Sequence, residues 1–135
     1  MTKQLSNTCV TSICEYIYNK IYGQNVNEGK FIMNYIKLSG DKNYLRNGFD
    51  IKYIDKFANQ TFKTSSFDSY KSAIDKGYPV MTNIPSLIPN SSHNIVVIGY
   101  SDQGLIYMDP ELGKMQVANE SYISGNYKIV ITGIK

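Results

Sequence analysis

Between Cys9 and Tyr22 the apolar positions Val10, Ile13, Cys14, Ile17, Tyr18 and Ile21 recur three and four residues apart, the spacing of a helix with one buried stripe. Gly23 supplies a stop, and Thr8 can cap the start, with Ser6 and Asn7 as competing caps. The same period returns from about Glu28 to Leu38, through Phe31, Ile32, Tyr35 and Ile36, and ends at Ser39-Gly40. It returns again from about Phe49 to Ala58, with Ile51, Ile54, Phe57 and Ala58 on one side. A short fourth helix is expected over Phe67–Lys76, closing at Gly77.

The period then changes. Tyr78–Ile84 is an extended run, with Pro79 acceptable only at a strand's start or on an edge. Pro85–Ser92 reads as a polar loop, and Asn94–Tyr100 as a continuously apolar, central strand. Ser101–Gly104 predicts a hairpin turn that returns as Leu105–Asp109. A turn over Pro110–Gly113, a short strand near Met115–Val117 and a last strand over about Tyr127–Thr132 complete the reading. Helices first and antiparallel strands second make an α+β layout, a helical half packed on a C-terminal antiparallel sheet. With no internal repeat or linker, the expectation is one domain over residues 1–135.

Composition narrows the class. The chain is 42% hydrophobic and 19% charged, far from the corner where chains stay disordered. It holds no apolar run of about 18 residues, so no membrane-spanning helix is expected. The first ten residues lack the apolar stretch of a secretory signal, and the expected location is cytoplasmic. A net charge of +3 is too small to predict nucleic-acid binding by itself.

Two cysteines and one histidine limit the chemistry. Cys9 and Cys14, five apart on one helix, point to different sides and sit beyond disulfide reach. With His93 they are too few for a zinc site, so neither metal nor cofactor is expected. Cys14 lies on the apolar stripe and reads as a small buried hydrophobe. Cys9 begins the helix, where the partial positive charge of the N-terminus favours a thiolate. His93 directly precedes the most apolar strand, and Asp109 ends the strand paired with it, near the open end opposite the 101–104 turn. A carboxylate beside an imidazole sets its tautomer and stabilises its charged form. Alone, His93 reads as a structural histidine, Asp109 as a turn residue before Pro110 and Gln4 as a solvated amide. Paired across two strands, the first two acquire a chemical reading, and Gln4, five positions before Cys9, can donate its amide to an oxyanion.

In this order, Gln4…Cys9-Val-Thr-Ser, then Lys76-Gly-Tyr-Pro-Val80, then His93-Asn-Ile-Val-Val-Ile-Gly-Tyr100, then Gly104-Leu-Ile-Tyr-Met-Asp-Pro110 with Gly113-Lys114, the chain resembles the bacterial papain-like peptidases that cut double-glycine leader peptides, and their bacteriocin-peptidase-like relatives. The resemblance covers nearly the whole chain and is strongest from Ala73 to Lys114. It implies a papain-like fold, with Cys9 as nucleophile, His93 as general base and later acid, Asp109 orienting the imidazole, and Gln4 joining a backbone N–H in the oxyanion hole. The family pattern Cys-Gly-Pro-Thr-Ser meets Thr8-Cys9-Val10-Thr11-Ser12 here. Matching Thr-Ser to Thr-Ser puts Thr8 at the nucleophile position, while matching the cysteines requires a one-residue deletion.

Two activities follow from the resemblance. The first is thiol-dependent cleavage of a peptide or protein amide, in keeping with a bacterial effector or toxin domain. The second is a papain-fold ribonuclease toxin of the contact-dependent growth inhibition type, cleaving tRNA with His93 while Cys9 is structural. Lysines such as Lys52, Lys56, Lys63 and Lys71, interleaved with tyrosines, would then line an RNA groove, although an ordinary solvated helical surface also accounts for them. A delivered toxin would act in the cytoplasm of its target cell and require a cognate immunity protein. A third reading is a degenerate papain-like domain used only for binding.

Overall fold

A computed structural model describes residues 9–85, 92–110, 113–123 and 125–135, the side chains of Cys9 and Ser92 excepted. Gln4, Thr8, most of the Pro85–Ser92 loop and part of the Pro110–Gly113 turn therefore lie outside the described residues.

Among the described residues, five α-helices come first or lie between strands: α1 (Cys9–Tyr16), α2 (Glu28–Ser39), α3 (Tyr44–Asn47), α4 (Ile54–Thr61) and α5 (Tyr70–Asp75). Six strands among them follow the order β1 (Phe62–Ser65), β2 (Val80–Pro85), β3 (Ser92–Ser101), β4 (Gly104–Asp109), β5 (Lys114–Ala118) and β6 (Ile129–Ile134). They form one antiparallel sheet ordered β1-β6-β2-β3-β4-β5, which is the expected α+β architecture.

Both faces of this sheet are covered, and that explains the unbroken apolar run in β3. Val96, with Met81, Ile129 and Ile131, packs against Val10, Ile13 and Cys14 of α1, Phe31 and Tyr35 of α2, and Phe57 of α4. Their strand neighbours Ile95, Val97, Val80 and Val130 face the other way, onto Tyr70 and Ala73 of α5. Successive side chains alternate between faces, so a strand buried on both sides cannot show an apolar-polar alternation. Each fully buried side chain of this size contributes roughly 1.5–3 kcal/mol.

Local chemistry sets the helix boundaries. Asn27 caps α2 by accepting the Gly29 N–H at 2.7 Å, and Gly40 ends it in the left-handed region (φ 77°). Gly104 opens β4 at φ 136°, where a Cβ would collide with the Ala118 carbonyl, so the β3–β4 turn requires glycine.

Several boundaries differ from expectation. The first helix does not run on to Tyr22 as α-helix: after Tyr16 it widens into a π-helical turn over Ile17–Ile21, with the Tyr22 N–H bonded to the Ile17 carbonyl at 3.1 Å. Asn19, clamped by both its amide groups to the backbone of Val26, draws the chain out at that point. The third helix starts later than Phe49, because Asp50 accepts the Lys52 N–H and caps a 3-10 turn at Ile51–Tyr53 that leads into α4. The fourth is shorter, with Ser69 as its cap. α3 and β1 were not foreshadowed. β1 has only Phe62 buried at its start and is a strand through pairing with β6. The last strand begins at Ile129, not Tyr127.

Candidate active site

The β3–β4 ladder aligns Val96 with Met108 and Val97 with Tyr107, so β4 ends beside the start of β3. His93 and Asp109 stand diagonally across this ladder, on the face that carries Ile95 and Tyr107. His93 Nε2 and Asp109 Oδ1 lie 2.7 Å apart, both residues about 5–6% exposed. A contact this short between buried groups is a charge-assisted hydrogen bond when the ring is protonated. It also sets the neutral tautomer, because an ionised carboxylate accepts only and Nε2 must then donate. The imidazole's basic nitrogen in that state is Nδ1.

α1 packs on the face of the sheet opposite to the one that carries His93 and Asp109: Val10, Ile13 and Cys14 cluster with Val96 and Met81, whereas Ile95, Val97 and Tyr107, which share the face of the pair, cluster with Tyr70 and Ala73 of α5. Cys9 is the first residue of α1.

Cys14 is a different thiol. It is completely buried, and burial, reinforced by the Glu28 carboxylate, pushes its pKa far above the ordinary 9.0. It is free, as its position on the helix requires. Among the described residues no group of three or more acidic, thiol or imidazole side chains is arranged to hold a metal ion.

The residues after Cys9 have a structural part that the sequence reading did not assign. Thr11 Oγ1 lies 2.8 Å from Glu28 Oε2 and 3.0 Å from the Tyr44 hydroxyl, and Ser12 Oγ donates to the same carboxylate oxygen at 3.0 Å. The carboxylate can only accept, so Thr11 donates to Glu28 and receives the Tyr44 proton. Glu15 in turn accepts the Glu28 N–H at 3.1 Å. The first turns of α1 are thereby bolted to the start of α2 and to α3. A polar Thr-Ser pair opening an otherwise apolar helix was the available sign. Beside His93, Asn94 and Asn83 are also buried: Tyr127 donates to Asn94 Oδ1 at 2.8 Å, and Asn83 Oδ1 accepts the Asn126 N–H at 2.9 Å.

A helix beginning with cysteine, set against an antiparallel sheet that presents a buried histidine–carboxylate pair at its end, is the layout of the papain-like cysteine peptidases. The model of the Peptidase_C39 like family matches residues 3–130, and the chain belongs to that family. It is thus a papain-like, cysteine peptidase-like hydrolase of α+β fold. No curated protein matches it significantly. Among the described residues no helix is long and apolar enough to cross a membrane.

Proposed function

We propose that the protein cleaves a peptide or protein amide through a Cys9 thiolate, with His93 as general base and acid, Asp109 as the group orienting it, and Gln4 as an oxyanion donor. What supports this reading is the buried 2.7 Å contact between His93 Nε2 and Asp109 Oδ1, which makes Nδ1 the basic nitrogen of the neutral ring, in a chain of the Peptidase_C39 like family whose first described helix opens with Cys9. The thiol proton passes to Nδ1 and the sulfur attacks the carbonyl carbon. The tetrahedral oxyanion accepts hydrogen bonds from the Gln4 amide and the Cys9 backbone N–H. The C–N bond then breaks as the imidazolium returns its proton to the leaving amine. In the second half His93 takes a proton from water, the hydroxide attacks the thioester, and the carboxylic product leaves as the thiol is restored.

Iodoacetamide labelling across pH, with each site located by peptide mass, tests the assignment in wild type and His93→Ala. Cys9 is expected to label well below pH 7 in wild type, and to revert toward the ordinary thiol pKa of about 8.5 in His93→Ala. Cys14 is expected to stay unlabelled until the protein is denatured. A Cys9 that titrates near 8.5 in wild type overturns the thiol mechanism; discrete shortening of tRNA in cells expressing the protein would then favour the nuclease reading.

A further inference from the structure

We propose that Asn47–Gly48, the pair that closes α3, is a self-modification site, at which Asn47 loses its side-chain amide as ammonia and becomes aspartate or isoaspartate at a rate set by the opening of α3. The chemistry needs neither Cys9 nor His93.

The reaction follows from the residue pair. The side-chain carbonyl carbon of an asparagine lies within reach of the next residue's backbone nitrogen. Glycine, without a Cβ, leaves that approach open and the backbone free to turn. Asn47-Gly48 is the one Asn-Gly pair in the sequence. Once the Gly48 nitrogen gives up its proton to solvent base, it bonds to Asn47 Cγ, and the Cγ–Nδ2 bond breaks as the nitrogen leaves as ammonia. Water then opens the resulting succinimide ring. Cleavage between the Gly48 nitrogen and Cγ restores the backbone with aspartate at position 47. Cleavage between the same nitrogen and the backbone carbonyl carbon routes the chain through the side chain, as isoaspartate. One water enters for each ammonia that leaves, and no oxidant or cofactor takes part.

The fold holds both reacting groups. The Gly48 N–H donates to the Tyr44 carbonyl at 2.6 Å, and Asn47 Nδ2 donates to both carboxylate oxygens of Asp41 at 3.2 Å. The helical backbone of Asn47 is also not the one that brings Cγ onto the following nitrogen. Reaction therefore waits for α3 to open, and that opening is local. α3 is four residues long, far below the length at which a helix stands alone, and only Tyr44 among them is buried.

The product cannot return to the same arrangement. A carboxylate at position 47 puts a like charge opposite Asp41 at the C-terminal end of a helix, where negative charge is disfavoured. Asp41 also accepts the Asn43 N–H at 2.9 Å, so both ends of α3 lose support. Isoaspartate further lengthens the backbone by one methylene just ahead of Phe49, whose buried ring has its centroid 4.3 Å from that of Tyr35.

Peptide mapping by mass spectrometry, on the intact chain held at mildly alkaline pH, reads conversion at Asn47 over time, beside a synthetic peptide of residues 43–52. The folded chain is expected to convert about 10–30-fold more slowly than the peptide, in proportion to the time α3 spends open. Asp41→Ala, which removes the carboxylate from both Asn47 and Asn43, is expected to raise the folded rate about threefold or more. Asn47→Asp, which carries the charge of the product, is expected to lower the melting temperature by about 2–5 °C. A folded rate equal to the peptide's overturns the proposal, as does a folded chain still unconverted after about a hundred peptide half-times. A rate unchanged by Asp41→Ala, or an Asn47→Asp chain as stable as wild type, overturns it equally.

Discussion

The Asp109 carboxylate sets the tautomer of the neutral histidine. His93 holds Asp109 through Nε2 in a setting from which water is largely excluded, so the pair's value lies in the tautomer and orientation it maintains. Asp109→Asn tests this at the level of one atom. The amide is close to the carboxylate in size, but it carries no charge and can turn its own N–H toward the ring. Peptide turnover is expected to fall by a factor on the order of 10²–10⁴, mainly in kcat, the range that acid–base catalysis by one positioned group spans. A far-ultraviolet spectrum and melting temperature close to wild type would show the loss to be chemical. Turnover within a factor of two of wild type would remove Asp109 from the mechanism. The two cysteines show how environment separates identical residues: Cys14 is sealed in the core with its thiol pKa driven far up, while Cys9 opens the helix.

At the scale of elements, the placement of α1 rests on hydrogen bonds that hydrophobic patterning does not reveal. Thr11 is fully buried and relays a proton donor from Tyr44 to Glu28, joining three helices through one hydroxyl. Thr11→Val keeps the shape but leaves the Tyr44 hydroxyl and one carboxylate lone pair without this partner. The expected cost is about 1–3 kcal/mol in urea unfolding. Since α1 carries Cys9, the same variant should also slow Cys9 labelling by iodoacetamide, whereas a change in stability alone would limit Thr11 to the fold. The periodicity of α1, α2 and α4 was legible because each helix has a wide apolar stripe. The π-helical turn was not, because Ile17, Tyr18 and Ile21 fit the α-helical spacing and the departure comes from the clamp of Asn19 on Val26. β1 was illegible for a related reason: Phe-Lys-Thr-Ser has no strong strand signal, and β6 supplies its partner.

The whole molecule carries a pH limit that follows from its core. Cys14 and Tyr44 are buried, and burial drives both far above their ordinary values of 9.0 and 10.0. Tyr18 and Tyr35 move in the same direction for the same cause. In the folded chain these groups keep their protons where the unfolded chain loses them, so unfolding releases protons and rising pH favours it. Their contribution is complete below about pH 9 and declines above it. For each such group the loss is about 1.4 kcal/mol per pH unit once the unfolded group is ionised. Melting temperature is expected to be flat from pH 7 to about 9 and to fall steeply by pH 11. A flat profile to pH 11 would mean that these side chains are hydrated.

What the sequence determined by itself was the layout and the candidates: helical stripes, a doubly covered central strand, a hairpin that brings Asp109 back toward His93, and an ordered set of Cys, His and Asp with Gln4 upstream. These are properties of local periodicity and turn chemistry, which act over a few residues and are written into neighbouring positions. Only the tertiary structure decided the sheet order with β6 between β1 and β2, the face of the sheet on which α1 packs, and the 2.7 Å histidine–carboxylate contact. Those depend on which distant surfaces bury one another, and a single chain's local pattern is compatible with several such pairings until packing selects one.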